Sequence, residues 1–328
     1  MLTLIVLALS LPLCATAQQP KRSASIRKPR EARPKAQFTS GDSALKIPLE
    51  IDNNIILMRV SVNNSKPLKF IFDTGATHSV IDSQRAAELG LKTEGQMRAN
   101  ATGGTVEASF IKSVSLGVPG AEVSTQTIVS FPFQRPPGFE FDGVIGYDFI
   151  NQFVVEIDYQ NKIMNLYSPR AFAYAGSGEV IPLILKGRRT PLVHTKIILE
   201  GRAPVEARLE VDTGADGTFV INSPFVKRQG LLAAISNTIQ DSRNGAGGEQ
   251  KLLVGRAKAV QLGRFVIENP TIGLSQDTEG AGASENNDGL IGGEIFRRFK
   301  VILDYSRKQM ILEPNKSFND PFEVDDGG

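Results

Sequence analysis

Apolar residues come along most of this chain in short bursts rather than in helical stripes. After residue 40, runs rich in Val, Ile and Phe at 45–51, 55–62, 68–72, 111–116 and 123–130 alternate with Gly, Pro and Asn. Turn-forming residues recur about every ten positions, a rhythm that predicts many short strands in closed or sandwiched sheets. Helical patterning is confined to residues 83–89, 149–153 and 294–299. The fold class read from this pattern is all-β.

The first 40 residues break the pattern. Residues 1–17 carry no charge and hold an apolar run ending at Ala15-Thr16-Ala17. The run is shorter than the ~20 residues a membrane-spanning helix needs. It predicts an export signal cleaved after Ala17, although no Lys or Arg precedes it. Cys14 offers a lipoprotein site as the alternative, but Leu13 stands where a small residue is expected. Residues 18–40 hold seven basic residues and one acid and almost nothing apolar. Such a segment cannot bury enough surface to order itself and is expected to be a disordered basic leader. A sharper reading makes it an inhibitory pro-segment that pairs with an acidic site.

From residue 41 onward the chain repeats itself. Ile47-Pro48-Leu49 returns as Ile181-Pro182-Leu183, and Phe72-Asp73-Thr74-Gly75-Ala76 as Val211-Asp212-Thr213-Gly214-Ala215. Gly103-Gly104 returns as Gly247-Gly248, Asp142-Gly143-Val144-Ile145-Gly146 as Asp288-Gly289-Leu290-Ile291-Gly292, and Asp158-Tyr159 as Asp304-Tyr305. The period is too long for a solenoid, so the chain holds two copies of one unit. The join falls at the Gly/Ser-rich residues 175–178. This divides the chain into a signal (1–17), a leader (18–40), two lobes (41–174 and 175–316) and a tail (317–328).

Composition then narrows the chemistry. The 328 residues carry a net charge of +2, but the leader alone carries +6, which leaves residues 41–328 at −4. A mildly acidic body argues against nucleic-acid binding. One cysteine and two histidines, His78 and His194, cannot build a Cys-rich zinc site or a His cluster. No G-x-S-x-G elbow and no phosphate-binding loop occurs. Gly41-Asp42-Ser43 lies at a linker edge and reads as a turn. The remaining chemistry rests on carboxylates.

Each Asp-Thr-Gly ends an apolar strand and enters a tight turn whose amides can hydrogen-bond the carboxylate. Two halves packed about a two-fold axis would bring Asp73 against Asp212. Two carboxylates that close share one proton. The ionised member can take a proton from water while the protonated one donates to a carbonyl oxygen. That is general acid–base hydrolysis of an amide, without metal, cofactor or covalent intermediate.

These motifs resemble the aspartic proteases of the retropepsin/pepsin type, with both halves in one polypeptide. Asp212-Thr213-Gly214-Ala215-Asp216 is similar to the retroviral-protease signature. Phe141 to Gly146 and Leu290 to Arg297 are similar to the hydrophobic-Gly motifs of the two pepsin halves. The likeness spans roughly residues 44–314. It implies a pepsin/retropepsin-like acid protease fold of two pseudo-symmetric, β-barrel-like lobes around a central cleft. It implies catalytic roles for Asp73 and Asp212, and a mutual lock between Thr74 and Thr213 beside Gly75 and Gly214. It also implies flaps over the cleft, for which residues 100–105 and 243–249, with Gly103, Gly104, Gly247 and Gly248, are the candidates. Two flaps are a retropepsin trait; pepsins carry one. Ala76 and Ala215 follow the triplets, as in retropepsins, where pepsins have a hydroxyl. The loss of that hydrogen bond predicts a pH optimum less acidic than pepsin's. The Arg that follows the hydrophobic-Gly motif in retropepsins is replaced by Tyr147 and Gly293.

The expected activity is that of an exported, periplasmic or extracellular aspartic endopeptidase. It would act as a monomer on peptide or protein substrates, without nucleic acid, stable membrane insertion or cofactor. The alternatives are a non-catalytic peptide-binding module on the same fold, or halves that pair between chains. His78 and His194 are read as structural, and Asp142 and Asp288 as turn residues rather than a second acid pair. Asp216 is read as a binder of a substrate polar group or a partner in a local salt bridge. Asn-x-Ser/Thr sites begin at Asn63, Asn100 and Asn315.

Overall fold

The computed structural model of the chain describes residues 34–185 and 189–322. Strands form where the apolar runs lie: Ser43–Pro48, Ile55–Val62, Leu68–Phe72, Gly104–Val118 and Ala121–Phe131 in the first half. Ile55–Val62 and Leu68–Phe72 coincide with the expected bounds. Both are rich in β-branched or aromatic residues and bury most of their length, which suits a pleated surface covered on both sides.

The two halves share one plan. Each builds a nine-stranded sheet, and a third, six-stranded sheet joins them. In each half the strand entering Asp-Thr-Gly pairs in parallel with the strand of the hydrophobic-Gly motif. Phe70 to Phe72 lie beside Gly143–Ile145, and Leu209 to Val211 beside Gly289–Ile291. The joining sheet holds Ser43–Pro48, Ile163–Tyr167 and Val154–Asp158 from the first half. Phe299–Asp304, Gln309–Pro314 and Glu179–Pro182 come from the second. At its centre Val154–Asp158 runs antiparallel to Phe299–Asp304, and Glu156 faces Ile302, its own counterpart in the repeat. The pseudo-two-fold axis therefore passes through that pair. Because the halves meet along a hydrogen-bonded ladder, one apolar cluster runs from Ile47 and Phe72 through Ile157 and Val301 to Val211 and Phe296. The joining sheet was not foreseen; a sequence repeat says nothing about which edges of its two copies will pair.

The short helices differ in detail from expectation. They span Ser83–Glu88, Tyr147–Ile150 and Gly293–Phe296, the last two starting earlier than 149 and 294. Their first amides are held from outside: Tyr147 N–H donates to the Ala76 carbonyl (2.9 Å) and Gly293 N–H to that of Ala215 (2.6 Å). The helix beginning thus docks on the turn after each Asp-Thr-Gly. Ser223–Gln229 and Leu231–Ala234 are helices that were not expected. Asn222 before Pro224, and Gly230 in the left-handed region after Gln229, bound the first of them and are a legible start and stop.

At both ends of the described residues the lobes extend further than expected. Lys35–Phe38 is a strand against Ala121–Phe131, and the Phe38 ring meets Phe153 at 5.5 Å, so disorder through residue 40 does not hold there. Arg298, 1% exposed, donates to the carbonyls of Ser317, Phe318 and Asp320, and Phe318 packs on Phe265 and Phe299. The expected tail from 317 is therefore part of the second lobe as far as Phe322. The signal, most of the leader and residues 323–328 lie outside the described residues. No helix among the described residues is long and apolar enough to cross a membrane.

Candidate active site

The pairing of parallel strands brings the two Asp-Thr-Gly turns to the centre of the molecule. Asp73 N–H donates to the Ile145 carbonyl and Asp212 N–H to that of Ile291, each at 3.0 Å. Both aspartates are wholly buried. Gly146 and Gly292 allow this packing. A Cβ on Gly146 would lie 2.4 Å from the His78 carbonyl oxygen, and one on Gly292 2.3 Å from that of Gly217.

The two turns interlock reciprocally. Thr74 N–H donates to Thr213 Oγ1 (3.2 Å) and Thr213 N–H to Thr74 Oγ1 (3.0 Å). Each hydroxyl in turn donates to the opposite strand, Thr74 Oγ1 to the Val211 carbonyl (2.5 Å) and Thr213 Oγ1 to that of Phe72 (2.8 Å). Four buried hydrogen bonds thus fix one turn on the other. Within each turn Oδ1 of the aspartate accepts from the glycine amide, Gly75 N–H at 2.7 Å and Gly214 N–H at 2.9 Å. Ala76 N–H adds a bond to Asp73 at 3.1 Å.

The glycines also set how near the carboxyls come. A Cβ on Gly75 would lie 2.8 Å from Asp212 Cγ, and one on Gly214 2.4 Å from Asp73 Cγ. Each carboxyl therefore sits on the glycine of the other half, and the two interact directly. Burial raises the proton affinity of both, and the neighbouring carboxylate raises that of Asp73 further, against the lowering effect of the turn amides. The pair therefore holds a proton well above the usual carboxylate range. Oδ2 of each is buried without a hydrogen-bond partner among the described residues. Two interacting carboxyls, each with one oxygen not taken up by the turn amides, can grip a water or a carbonyl oxygen.

Two hairpins pack against the turns that carry this pair, one beside Ala76 and the other beside Ala215. The first, Glu94–Ala101 with Gly104–Val118, and the second, Ile239–Gly245 with Gly248–Arg256, meet tip to tip. Gly247 N–H donates to the Thr102 carbonyl at 2.8 Å. A Cβ on Gly103 would lie 2.1 Å from the Gly248 oxygen, so the paired glycines are where the tips touch. Residues 100–105 and 243–249 thus occupy the tips or their flanks.

The remaining candidates divide. Asp142 and Asp288 lie apart from the pair and act alike. Asp142 accepts from Lys69 N–H (2.9 Å) and Arg85 (2.9 Å), Asp288 from Arg208 N–H (2.8 Å) and Arg228 (3.1 Å). Each ties the strand entering the Asp-Thr-Gly turn to the helix beyond it. Asp216 pairs with Arg243 of the second hairpin at 3.9 Å. His194 is exposed on a strand, opposite Arg208. His78 is buried, with Nδ1 3.0 Å from Thr77 Oγ1 and Nε2 against the Arg189 guanidinium. Burial and that cation push its pKa down to about 4. Asn63 Oδ1 accepts from Ser115 N–H, and the Asn315 amide donates to the Arg297 carbonyl, so two of the three Asn-x-Ser/Thr asparagines are engaged.

Sequence reasoning passed over the residues that brace the turns from outside. Asp148 accepts from Ser79 N–H (2.8 Å) and Ser79 Oγ (2.6 Å), and Ser79 Oγ accepts from Gly146 N–H. Although one edge of Asp148 reaches the surface, its carboxyl lies deep among protein atoms, and burial raises its pKa to about 6. Asn54 Nδ2 donates from the first half to the Asp216 carbonyl (3.0 Å). These residues have no repeat signal, since their counterparts differ in type. Among the described residues no group of three or more His, Cys, Asp or Glu side chains is arranged to hold a metal.

Two repeated turns interlocked at a pseudo-two-fold, each presenting a buried aspartate beside hairpins that meet tip to tip, define an all-β acid protease architecture. The family model for aspartyl proteases matches residues 58–149 and 195–295, one stretch in each half. The chain belongs to the aspartyl protease family, in a retropepsin-like form with both halves in one polypeptide. A comparison with individually curated proteins gave no match.

Proposed function

We propose that the chain is an exported aspartic endopeptidase that cleaves peptide bonds with Asp73 and Asp212 acting together. The observation that carries this reading is the reciprocal seating of each buried carboxyl on the other half's glycine. A peptide lies extended across the pair beneath the hairpins. A water bound between the two Oδ2 atoms loses a proton to the ionised carboxylate as its oxygen attacks the peptide carbonyl carbon. The protonated carboxyl donates to the carbonyl oxygen, giving a gem-diol. The carboxyl that took the water's proton then gives it to the amide nitrogen while the other carboxylate takes a proton from a gem-diol hydroxyl, which breaks the C–N bond, restores the carbonyl and leaves the acid and amine products with the pair singly protonated again.

One chain supplies both carboxyls, so a monomer suffices. Raised proton affinity keeps the singly protonated pair populated above the ordinary carboxylate range, so the rate optimum lies at milder pH than pepsin's. Export rests on residues 1–17 alone.

A peptide-library digest from pH 3 to 7 with the chain from residue 18 onward tests the proposal. Asp73→Asn and Asp212→Asn should each reduce cleavage by about a thousandfold or more. Activity that survives in either variant would refute a shared pair within one chain. A folded, monomeric wild-type chain that binds library peptides and cleaves none would instead be a binding module.

A further inference from the structure

The two hairpins over the site are held down by different means. Ladder position gives the comparison: Arg243 pairs with Gln250 two steps before the terminal Gly245/Gly248 pair, and Ala99 pairs with Val106 two steps before Ala101/Gly104. Arg243 and Ala99 are thus counterparts. Arg243 reaches from its hairpin to the turn that follows Asp212. Its guanidinium lies 3.9 Å from Asp216, which is 3% exposed, and 3.1 Å from Asp241 on the same strand. It rests on Gly217, where a Cβ would lie 2.4 Å from Nη1. In the first half that turn position is His78, whose bulk leaves no such seat, and the hairpin presents only the methyl of Ala99.

The returning strand of the second hairpin is tied as well. Gln250 Nε2 donates to Asp277 Oδ2 (2.9 Å), and Lys251 N–H reaches Oδ1 (3.3 Å). The first hairpin carries its charges on its outer face, with Arg98–Glu107 and Lys112–Glu94 both exposed, and buries small side chains such as Ala99, Ala101 and Ala108. Its tip touches the Gly247–Gly248 turn on one side. On the other it meets Gly280, where a Cβ would lie 2.7 Å from the Ala101 oxygen. The first hairpin's apolar contacts, those of Met97, Val106 and Phe110 included, are non-directional and can be remade as it shifts, whereas a largely buried guanidinium–carboxylate pair is costly to break.

We infer that Arg243 latches the second hairpin to the Asp212 turn, so that of the two flaps the family likeness implies only the first, residues 94–106, is left free to lift. Arg243 is a positioning residue in this account: it acts through the hairpin and touches no reacting atom. The inference takes the cleft between the hairpins and the aspartates as the substrate site. Its readout is amide exchange, so it can fail or hold independently of peptidase activity.

The experiment is hydrogen–deuterium exchange on the chain from residue 18, as wild type and in an Asp73→Asn background that excludes self-cleavage. Residues 95–106 should exchange at least about tenfold faster than residues 240–249. Arg243→Ala should speed exchange of 240–249 by about tenfold and leave 95–106 within about twofold, and Arg243→Lys should fall between wild type and Arg243→Ala. Equal protection of the hairpins in the wild type would overturn the inference, whatever the variants do. So would an unchanged second hairpin in a folded Arg243→Ala protein.

Discussion

The first and second Asp-Thr-Gly turns have the same backbone and different surroundings. At the interlock the halves are interchangeable: threonine answers threonine and glycine backs carboxyl on both sides. A few ångströms outward the likeness ends. The first turn is braced by Ser79 and Asp148 and covered by His78 under Arg189. The second has Gly217 and Thr218 in those positions, with Arg243 lying over Gly217. The Asp148 counterpart, Glu294, turns away to pair with Arg297 and Arg298 near the chain end. Symmetry is thus kept where two carboxyls must meet and relaxed where each lobe meets only itself. One chain encoding both halves permits this, since each copy can change alone.

The sharpest way to break the comparison is to add one methyl group at its centre. Gly214→Ala places a Cβ against Asp73, and displacement of the carboxyl should lower peptidase activity by about a hundredfold. Gly75→Ala, with slightly more room against Asp212, should cost less. An order of effect reversed in paired kinetic assays would mean that the halves are not seated as described.

Next in size is the interlock. Thr74→Val and Thr213→Val each strip a hydroxyl from the four-bond lock and leave a buried N–H without its acceptor, at a cost of about 1–3 kcal/mol. Urea denaturation should give similar values for both, and a double variant less destabilised than their sum, since losing either hydroxyl's two bonds already loosens the turn that the other two hold. Full additivity would count against a single coupled lock.

A third test separates the halves by pH, and its effect appears only on acidification. His78 in the fold titrates at about 4, below the ordinary 6.5. As pH falls through 6.5 the unfolded chain takes up a proton that the folded chain refuses, so stability is lost between 6.5 and about 4. A shift of this size corresponds to about 3 kcal/mol. The buried aspartates act in the opposite sense, because their raised proton affinity favours the fold as pH drops. Comparing His78→Gln with wild type at pH 7 and pH 4.5 isolates the histidine. The variant should lose less stability on acidification, and parallel losses would remove His78 as an acid-sensitive element. Gly217 gives the second half no equivalent.

Much of this molecule is legible in its sequence because its signals are local. Ile55–Val62 and Leu68–Phe72 have strand composition between clear turn residues, and both formed as expected. The repeated Asp-Thr-Gly needed only a two-fold axis to bring Asp73 and Asp212 together. The signal at Asn222, Pro224 and Gly230 was present and passed over. Other features had no local signal. Lys35–Phe38 lies in a basic segment whose composition argues for disorder, yet it gains an edge to pair with at Ala121–Phe131. Arg298 looks like a surface cation until the carbonyls of 317–320 fold back around it.

The sequence by itself determined the two copies, the all-β class and the pair of aspartates, because composition, spacing and repetition are properties of the chain alone. Only the tertiary structure decided the joining sheet, the tip-to-tip meeting of the hairpins, and the company kept by His78, Asp148 and Arg243. Those depend on which residues become neighbours across separations from 27 positions, Asp216 to Arg243, to well over a hundred. Their partners differ between the copies, so repetition carries no record of them.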